Sequence, residues 1–434
     1  MALQPDFKFK QQNFSGIPNC FTEKPHRCIV LEVKLASDVQ GEILQAAVDD
    51  VLVRAPYFAD ALAEHEGDFF YAENPLPFEV VEGAPRSVGG PETNWHCLDV
   101  TYEGNQMYFT MFHGFCDGMG LNMFVEAVIN RYFCRKDGVD YPADGLRVPG
   151  QPVLESEEAD PYSTPHELPE GFEMDFLADR FWRLPEVDEA RIDHMRGVNF
   201  RIKESELMEL VKTSKSSPVA TLQVLMADAI LSVHPDAPEL FGALVPTSNR
   251  EKLGTPNTFK NSNGALRLPY QRSQMDELDF AERCHLSRQL LREANDNVTA
   301  RFMANETGEA VAKASQTMHS YKEKQEVLNF IKWYSNDSYM IDYLGSLHSK
   351  GFENQLVSVR YKLTHLEPNQ GTLFLIVTAT AGFFDIEMAR SWESDVYVDA
   401  FAEQLKRRGI AFTQETEDRY LNPENGLIPA LGYA

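Results

Sequence analysis

The stretch Met107-Tyr108-Phe109-Thr110-Met111-Phe112-His113-Gly114-Phe115-Cys116-Asp117-Gly118 decides how this chain is read. Its first six residues form an apolar run with strand character. Beyond it, Leu121, Phe124, Val125, Val128 and Tyr132 repeat at helical spacing. A strand therefore delivers His113 to a turn, and a helix leaves from that turn. Imidazole titrates near neutrality, so a histidine placed there is a candidate proton carrier. Asp117-Gly118 is also a common turn dipeptide, and Asp117 suits the N-cap of the following helix. Gly118 would permit close backbone approach where the strand gives way to the helix.

Working outward, strands and helices alternate. Cys28 to Leu35 predicts a strand, residues 37 to 53 a helix, Phe69–Ala72 and Phe78–Val81 short strands, and Trp95–Tyr102 with Gln106–Phe112 a hairpin through Gly104. From Asp137 to about Pro185, prolines and the acidic cluster Glu155 to Asp160 break the pattern, which predicts a connection on the surface. The pattern then restarts. Strands are expected at Val198–Ile202, Phe241–Pro246, Gly264–Leu268, Tyr339–Leu344, Leu356–Tyr361, Thr372–Ala381 and Phe383–Met388. Helices are expected at Glu204–Thr213, Pro218–Val233, much of Met275–Met318, and Asp395–Arg408. The chain of 434 residues exceeds one ordinary core. The expected division is residues 1–150 with the histidine motif, a linker over 151–195, and a second α/β half over 196–434.

A net charge of −26 argues against a nucleic-acid partner and against docking on anionic lipid. No apolar run reaches the roughly 20 residues of a membrane span. The six cysteines are dispersed with no C-x-x-C pair, as expected for reduced thiols in a cytoplasmic protein. His96, His285, His319 and His365 show no metal-ligand spacing, so no metal is expected and these histidines read as surface or structural.

The spacing His-x-x-x-Asp-Gly at His113, Asp117 and Gly118 resembles the motif of the CoA-dependent acyltransferase superfamily, which includes chloramphenicol acetyltransferases, alcohol acyltransferases and peptide-synthetase condensation domains. Val245-Pro246-Thr247-Ser248-Asn249-Arg250, then Leu253-Gly254 and Phe259-Lys260-Asn261, is similar to a Pro-x-x-x-Arg stretch of that group. Further on, in the same order as in that group, Tyr339 to Gly345 resembles its strand ending in Gly, and Trp392 to Asp395 with Tyr397 to Phe401 resembles the segment opening its last helix. Two departures stand out. Phe112 occupies the place of the first of two adjacent histidines in condensation domains, and the Asp-Phe-Gly-Trp motif of the plant-type branch is absent. The first points to a stand-alone acyltransferase; the second leaves the donor and acceptor classes open and does not touch the fold.

The resemblance implies two chloramphenicol-acetyltransferase-like α/β subdomains, with mixed sheets, helices packed on them and an active-site tunnel between the halves. It implies acyl transfer from a CoA thioester to a hydroxyl or amine of a small molecule, with His113 as general base. No tightly bound cofactor is implied; acyl-CoA is a co-substrate. Asp117 would point away from substrate and pair with an arginine, for which Arg250 is the candidate. An oxyanion donor from the second half is expected among Ser262, Asn263 and Ser338. Lys252, Lys260 and Arg267 form a local basic excess suited to CoA phosphates or to a solvated loop. Cys116 reads as a buried, inert thiol. A monomer is expected, since two halves of one chain can build the whole site. The alternatives are a catalytically degenerate binding protein of this fold and a carrier-protein-dependent condensation-type domain.

Overall fold

The computed structural model describes residues 7–16, 20, 28–65, 67–174, 181–185, 191–318, 320, 322–324, 326, 338–363 and 373–419. His319 and His365 lie outside these residues. In the first half the elements are β1 (Lys8–Gln12), β2 (Cys28–Leu35), α1 (Gly41–Arg54), β3 (Ala61–His65), β4 (Asp68–Glu73), β5 (Val81–Glu82), β6 (Leu98–Glu103), β7 (Gln106–Phe112) and α2 (Gly118–Asp137). The second half holds β8 (Arg191–Lys203), α3 (Glu204–Thr213), α4 (Pro218–Val233), β9 (Leu240–Ser248), β10 (Asn263–Gln271), α5 (Phe280–Ala294), α6 (Asn297–Thr317), β11 (Tyr339–Gly345), β12 (Leu356–Leu363), β13 (Leu373–Thr380), β14 (Phe383–Trp392), α7 (Val396–Arg407) and β15 (Phe412–Arg419). The expected alternation of strands and helices is therefore present in both halves.

Two large sheets carry the fold. One has the order β12-β2-β7-β6-β5, the other β10-β9-β11-β13-β14-β8-β15. β6 and β7 pair as the expected hairpin, with Gly104 at φ +56° in the tight turn where a side chain would strain the backbone. On β2, Leu31, Val33 and Leu35 are fully buried, and α2 covers the same core with Leu121, Phe124, Val125 and Val128. The second core lies between its sheet and α4, α5 and α7, with Leu222, Leu225, Phe384, Ile386 and Phe401 fully buried or nearly so.

β12 crosses between the halves. It follows β11 in the chain but pairs antiparallel with β2, Tyr361 opposite Leu31, and so forms the edge of the first sheet. Its Val359 and Tyr361 enter the first core, and the Thr378 hydroxyl of β13 bonds the Val359 carbonyl.

The connection after α2 differs from expectation. Residues 138–174 hold neither helix nor strand, yet they are not a surface tether. Leu146, Arg147, Val148, Glu157 and Asp160 are buried. Glu157 pairs with Arg54 at 2.7 Å and accepts the Tyr57 hydroxyl at 2.8 Å. Asp160 accepts the backbone N–H groups of Phe14 and Ser15, each at 3.0 Å. Two members of the acidic cluster thus clamp the connection onto the first half, and these partners offset the cost of burying a carboxylate.

Candidate active site

His113 follows directly on β7 and is half-buried. Its loop is fixed through three successive carbonyls, each held by a different segment. Asn261 Nδ2 donates to the His113 carbonyl at 3.0 Å, Asn13 Nδ2 to that of Gly114 at 2.7 Å, and the Tyr71 hydroxyl to that of Phe115 at 2.6 Å. A turn between strand and helix leaves such carbonyls without ladder partners, and these side chains replace them. Phe112 is fully buried, and its ring crowds Gly114: a Cβ there would stand 2.4 Å from Phe112 Cε1. An apolar residue before the histidine is therefore a wall of the core.

Asp117 is completely buried and accepts four hydrogen bonds. Oδ1 takes Gly120 N–H at 2.8 Å and Arg250 Nη2 at 2.7 Å; Oδ2 takes Ser262 N–H at 2.9 Å and Arg250 Nη1 at 3.0 Å. A carboxylate offers about four acceptor positions, and all four are in use. Asp117 is thus both the N-cap of α2 and the partner of an arginine fork. Arg250 is itself saturated with acceptors, donating further to the carbonyls of Thr258 at 2.8 Å and Lys260 at 2.9 Å and to Ser248 Oγ at 3.2 Å. The pair ties the start of α2 to the segment linking β9 and β10.

The close backbone approach expected at Gly118 occurs two residues further on, at Gly120. A Cβ on Gly118 would lie 3.2 Å from a Leu344 methyl, whereas one on Gly120 would lie 1.9 Å from the Phe259 carbonyl oxygen. Gly120 is where only glycine fits.

The remaining candidates separate. Ser262 Oγ is buried without a hydrogen-bond partner among the described residues, one residue from Asn261. Asn263 is exposed at the start of β10, its carbonyl accepting the Tyr162 hydroxyl at 2.8 Å. Ser338 Oγ accepts Gly242 N–H at 3.2 Å and donates to the Trp182 carbonyl, which commits it to the second sheet. Lys252 donates to Asn295, and Arg267 lies half-buried with its guanidinium 5.9 Å from the Phe181 ring centroid. Lys260 corrects an expectation: it is fully buried, its ammonium 4.2 Å from the centroid of Tyr71, and burial lowers its pKa to about 8. Such an ammonium does not reach a phosphate in solvent. Cys116 is buried, and desolvation pushes its thiol well above the ordinary value. His96 is buried against backbone carbonyls, including that of Ala59 at 2.7 Å, and desolvation lowers its pKa. His285 is exposed. Among the described residues no group of three or more His, Cys, Asp or Glu side chains is arranged to hold a metal, and no single helix is long and apolar enough to cross a membrane.

Nothing in the sequence marks Asn13 or Gly120, and Asn261 and Asp342 stand within stretches that resemble family segments without a role of their own. Asp342 stands on the face of β11 that carries Met340 and Leu344 toward the first half, while Tyr339 and Ile341 enter the second core. Burial, and then the Asp117 charge, raise its carboxyl to about 7.

No protein-family model matches the chain, and no curated protein sequence matches it. Solved structures do. Polyketide synthase associated protein 5 from Mycobacterium tuberculosis is similar at a TM-score of 0.58 and 13% identity, over 92% of this chain and 98% of that one. TRI101 of F. graminearum, solved with ethyl coenzyme A, is similar at 0.57 and 11% identity, over 92% and 97% of the two chains. The TRI3 trichothecene 15-O-acetyltransferase of Fusarium sporotrichioides is similar at 0.54 and 10% identity, over 94% and 99%. The chain thus shares its mixed α/β fold with these proteins, in line with the fold that the motif resemblance implies.

Proposed function

We propose that the chain is an acyl-CoA-dependent acyltransferase acting on a small molecule, with His113 as general base. The observation that carries this reading is the built loop at His113. Three carbonyls are pinned by three segments, and Asp117 is locked to Arg250, so the half-buried imidazole is presented from a rigid support. Rigid placement is what general-base catalysis needs, because the proton must pass within hydrogen-bond reach. His113 takes the proton from an acceptor hydroxyl or amine as it attacks the thioester carbonyl. The tetrahedral intermediate then collapses, the C–S bond breaks, and the imidazolium returns the proton to the leaving thiolate. No covalent enzyme intermediate is required. With its carboxylate filled by four donors, Asp117 holds the loop and takes no proton.

Several observations support the finer points. Ser262, with its unpartnered hydroxyl beside Asn261, is the oxyanion donor we favour. Lys252 and Arg267 are the candidates for the donor's phosphates. The structures with coenzyme A support a CoA donor, and TRI101 solved with coenzyme A and T-2 mycotoxin supports a small-molecule acceptor. We place the donor and acceptor in a channel between the halves, which a single chain supplies from both sides, so a monomer suffices. The buried free cysteines fit a reducing compartment. Acetyl-CoA thiol release with a panel of alcohols and amines tests the reading. His113→Ala should lower the rate by roughly 10²–10⁴-fold, and equal rates in the two proteins would remove His113 from the chemistry.

A further inference from the structure

Asp342 has a property its surroundings do not account for. It sits mid-strand on β11, next to Ile376 of β13, on a face otherwise made of Met340, Leu344, Phe374 and Ile376. Those neighbours pack into the first core. The carboxyl makes no hydrogen bond and no ion pair among the described residues. It lies in the interior yet keeps partial solvent contact. It also faces the motif. Leu344, two residues on, approaches Gly118 to 3.2 Å of its Cβ position, and Asp342 feels the charge of Asp117 and acts on the Tyr361 phenol.

A carboxyl on an apolar face without a partner is costly, and a cation restores the balance better than a neutral donor. The cations of this junction are not available for the task, since Arg250 is saturated and Lys260 is stacked on Tyr71. The chain's excess of 66 acidic over 40 basic residues further favours the entry of positive ligands.

We propose that Asp342 is the anionic seat for a protonated nitrogen on the acceptor, so that the substrate class is amine-bearing small molecules. This rests on the acyl-transfer reading for the word acceptor, but the binding itself does not.

The test uses the full chain without any acyl donor. Matched probes are titrated by calorimetry: 2-phenylethylamine against 2-phenylethanol, cyclohexylamine against cyclohexanol, and 1,4-diaminobutane against 1,4-butanediol. At least one ammonium should bind tenfold or more tightly than its alcohol twin, and Asp342→Asn, nearly isosteric, should erase that preference. Should the variant misfold, wild-type melting curves still decide: ammonium probes raise the midpoint and alcohols do not. Absence of preference in every pair, or a preference that survives in Asp342→Asn, overturns the inference. Thioester turnover is measured separately. Turnover without ammonium preference sinks only the seat, and ammonium preference without turnover sinks only the acyl-transfer reading.

Discussion

Removing Arg250 should be among the most damaging single changes in the molecule. In Arg250→Met the completely buried Asp117 keeps Gly120 and Ser262 N–H but loses both guanidinium bonds, and the carbonyls of Thr258 and Lys260 are orphaned. Breaking a buried pair from one side typically costs about 3–5 kcal/mol, because a charge is left in low dielectric. Asp117→Asn keeps a good N-cap and should cost less, about 2–3 kcal/mol. The double variant removes both charges, so its cost should fall short of the sum by about 1–3 kcal/mol. Urea unfolding of the four proteins, followed by tryptophan fluorescence and circular dichroism, yields the cycle from midpoint shifts. Costs below about 1 kcal/mol for Arg250→Met, or additivity within about 0.5 kcal/mol, would mean that the pair is not the brace its geometry describes.

Three further outcomes follow. Gly120→Ala should be severely destabilising, because the new Cβ meets a backbone carbonyl at 1.9 Å, whereas in Gly118→Ala it meets side chains, a Leu344 methyl at 3.2 Å and the Tyr361 ring at 3.8 Å, and should cost less; thermal melts of both separate them. Asp342→Asn should stabilise the ligand-free protein, by on the order of 1–3 kcal/mol at pH 8. The wild-type carboxyl has a folded pKa raised to about 7, so its protonated form's advantage is lost as pH rises from about 4 through 7; the gain should vanish near pH 4, and a gain independent of pH would contradict the burial of that charge. Asn261→Ala should leave the fold intact but lower kcat more than affinity, since it frees the His113 carbonyl; rescue by Asn261→Gln would be partial, and unchanged turnover would show the tie to be idle.

The parts legible in the sequence were those with strong periodicity. α3 and α4 lie at Glu204–Thr213 and Pro218–Val233 as read, and β2 at Cys28–Leu35, because one apolar face or one β-branched run dominates each. β1 and β15 escaped notice: KFKQQ and FTQETEDR are polar edge strands held by backbone pairing, which leaves no hydrophobic period to read. At the candidate site, His113, Asp117 and Arg250 could be named because a motif spacing marks them. Asn13 and Asn261 could not. Their amides reach carbonyls more than a hundred residues away, at 101 and 148 positions respectively, and nothing local signals that reach. Lys260 misled because a basic residue in a loop is usually solvated, whereas here Tyr71 and the folded connection close over it.

The crossing strand imposes an order of events on synthesis. β2, β7 and β6 leave the ribosome early, but the edge that caps them, β12, is made more than three hundred residues after β2 begins at Cys28. Until Leu363 has emerged, one side of β2 is an open edge with its N–H and C=O groups available to any passing strand. A fragment ending near residue 195 would carry that edge permanently and is expected to aggregate. The first sheet can close only after most of the second half exists, so the two halves are completed together, and a long-range contact of this kind makes the last step of folding slow.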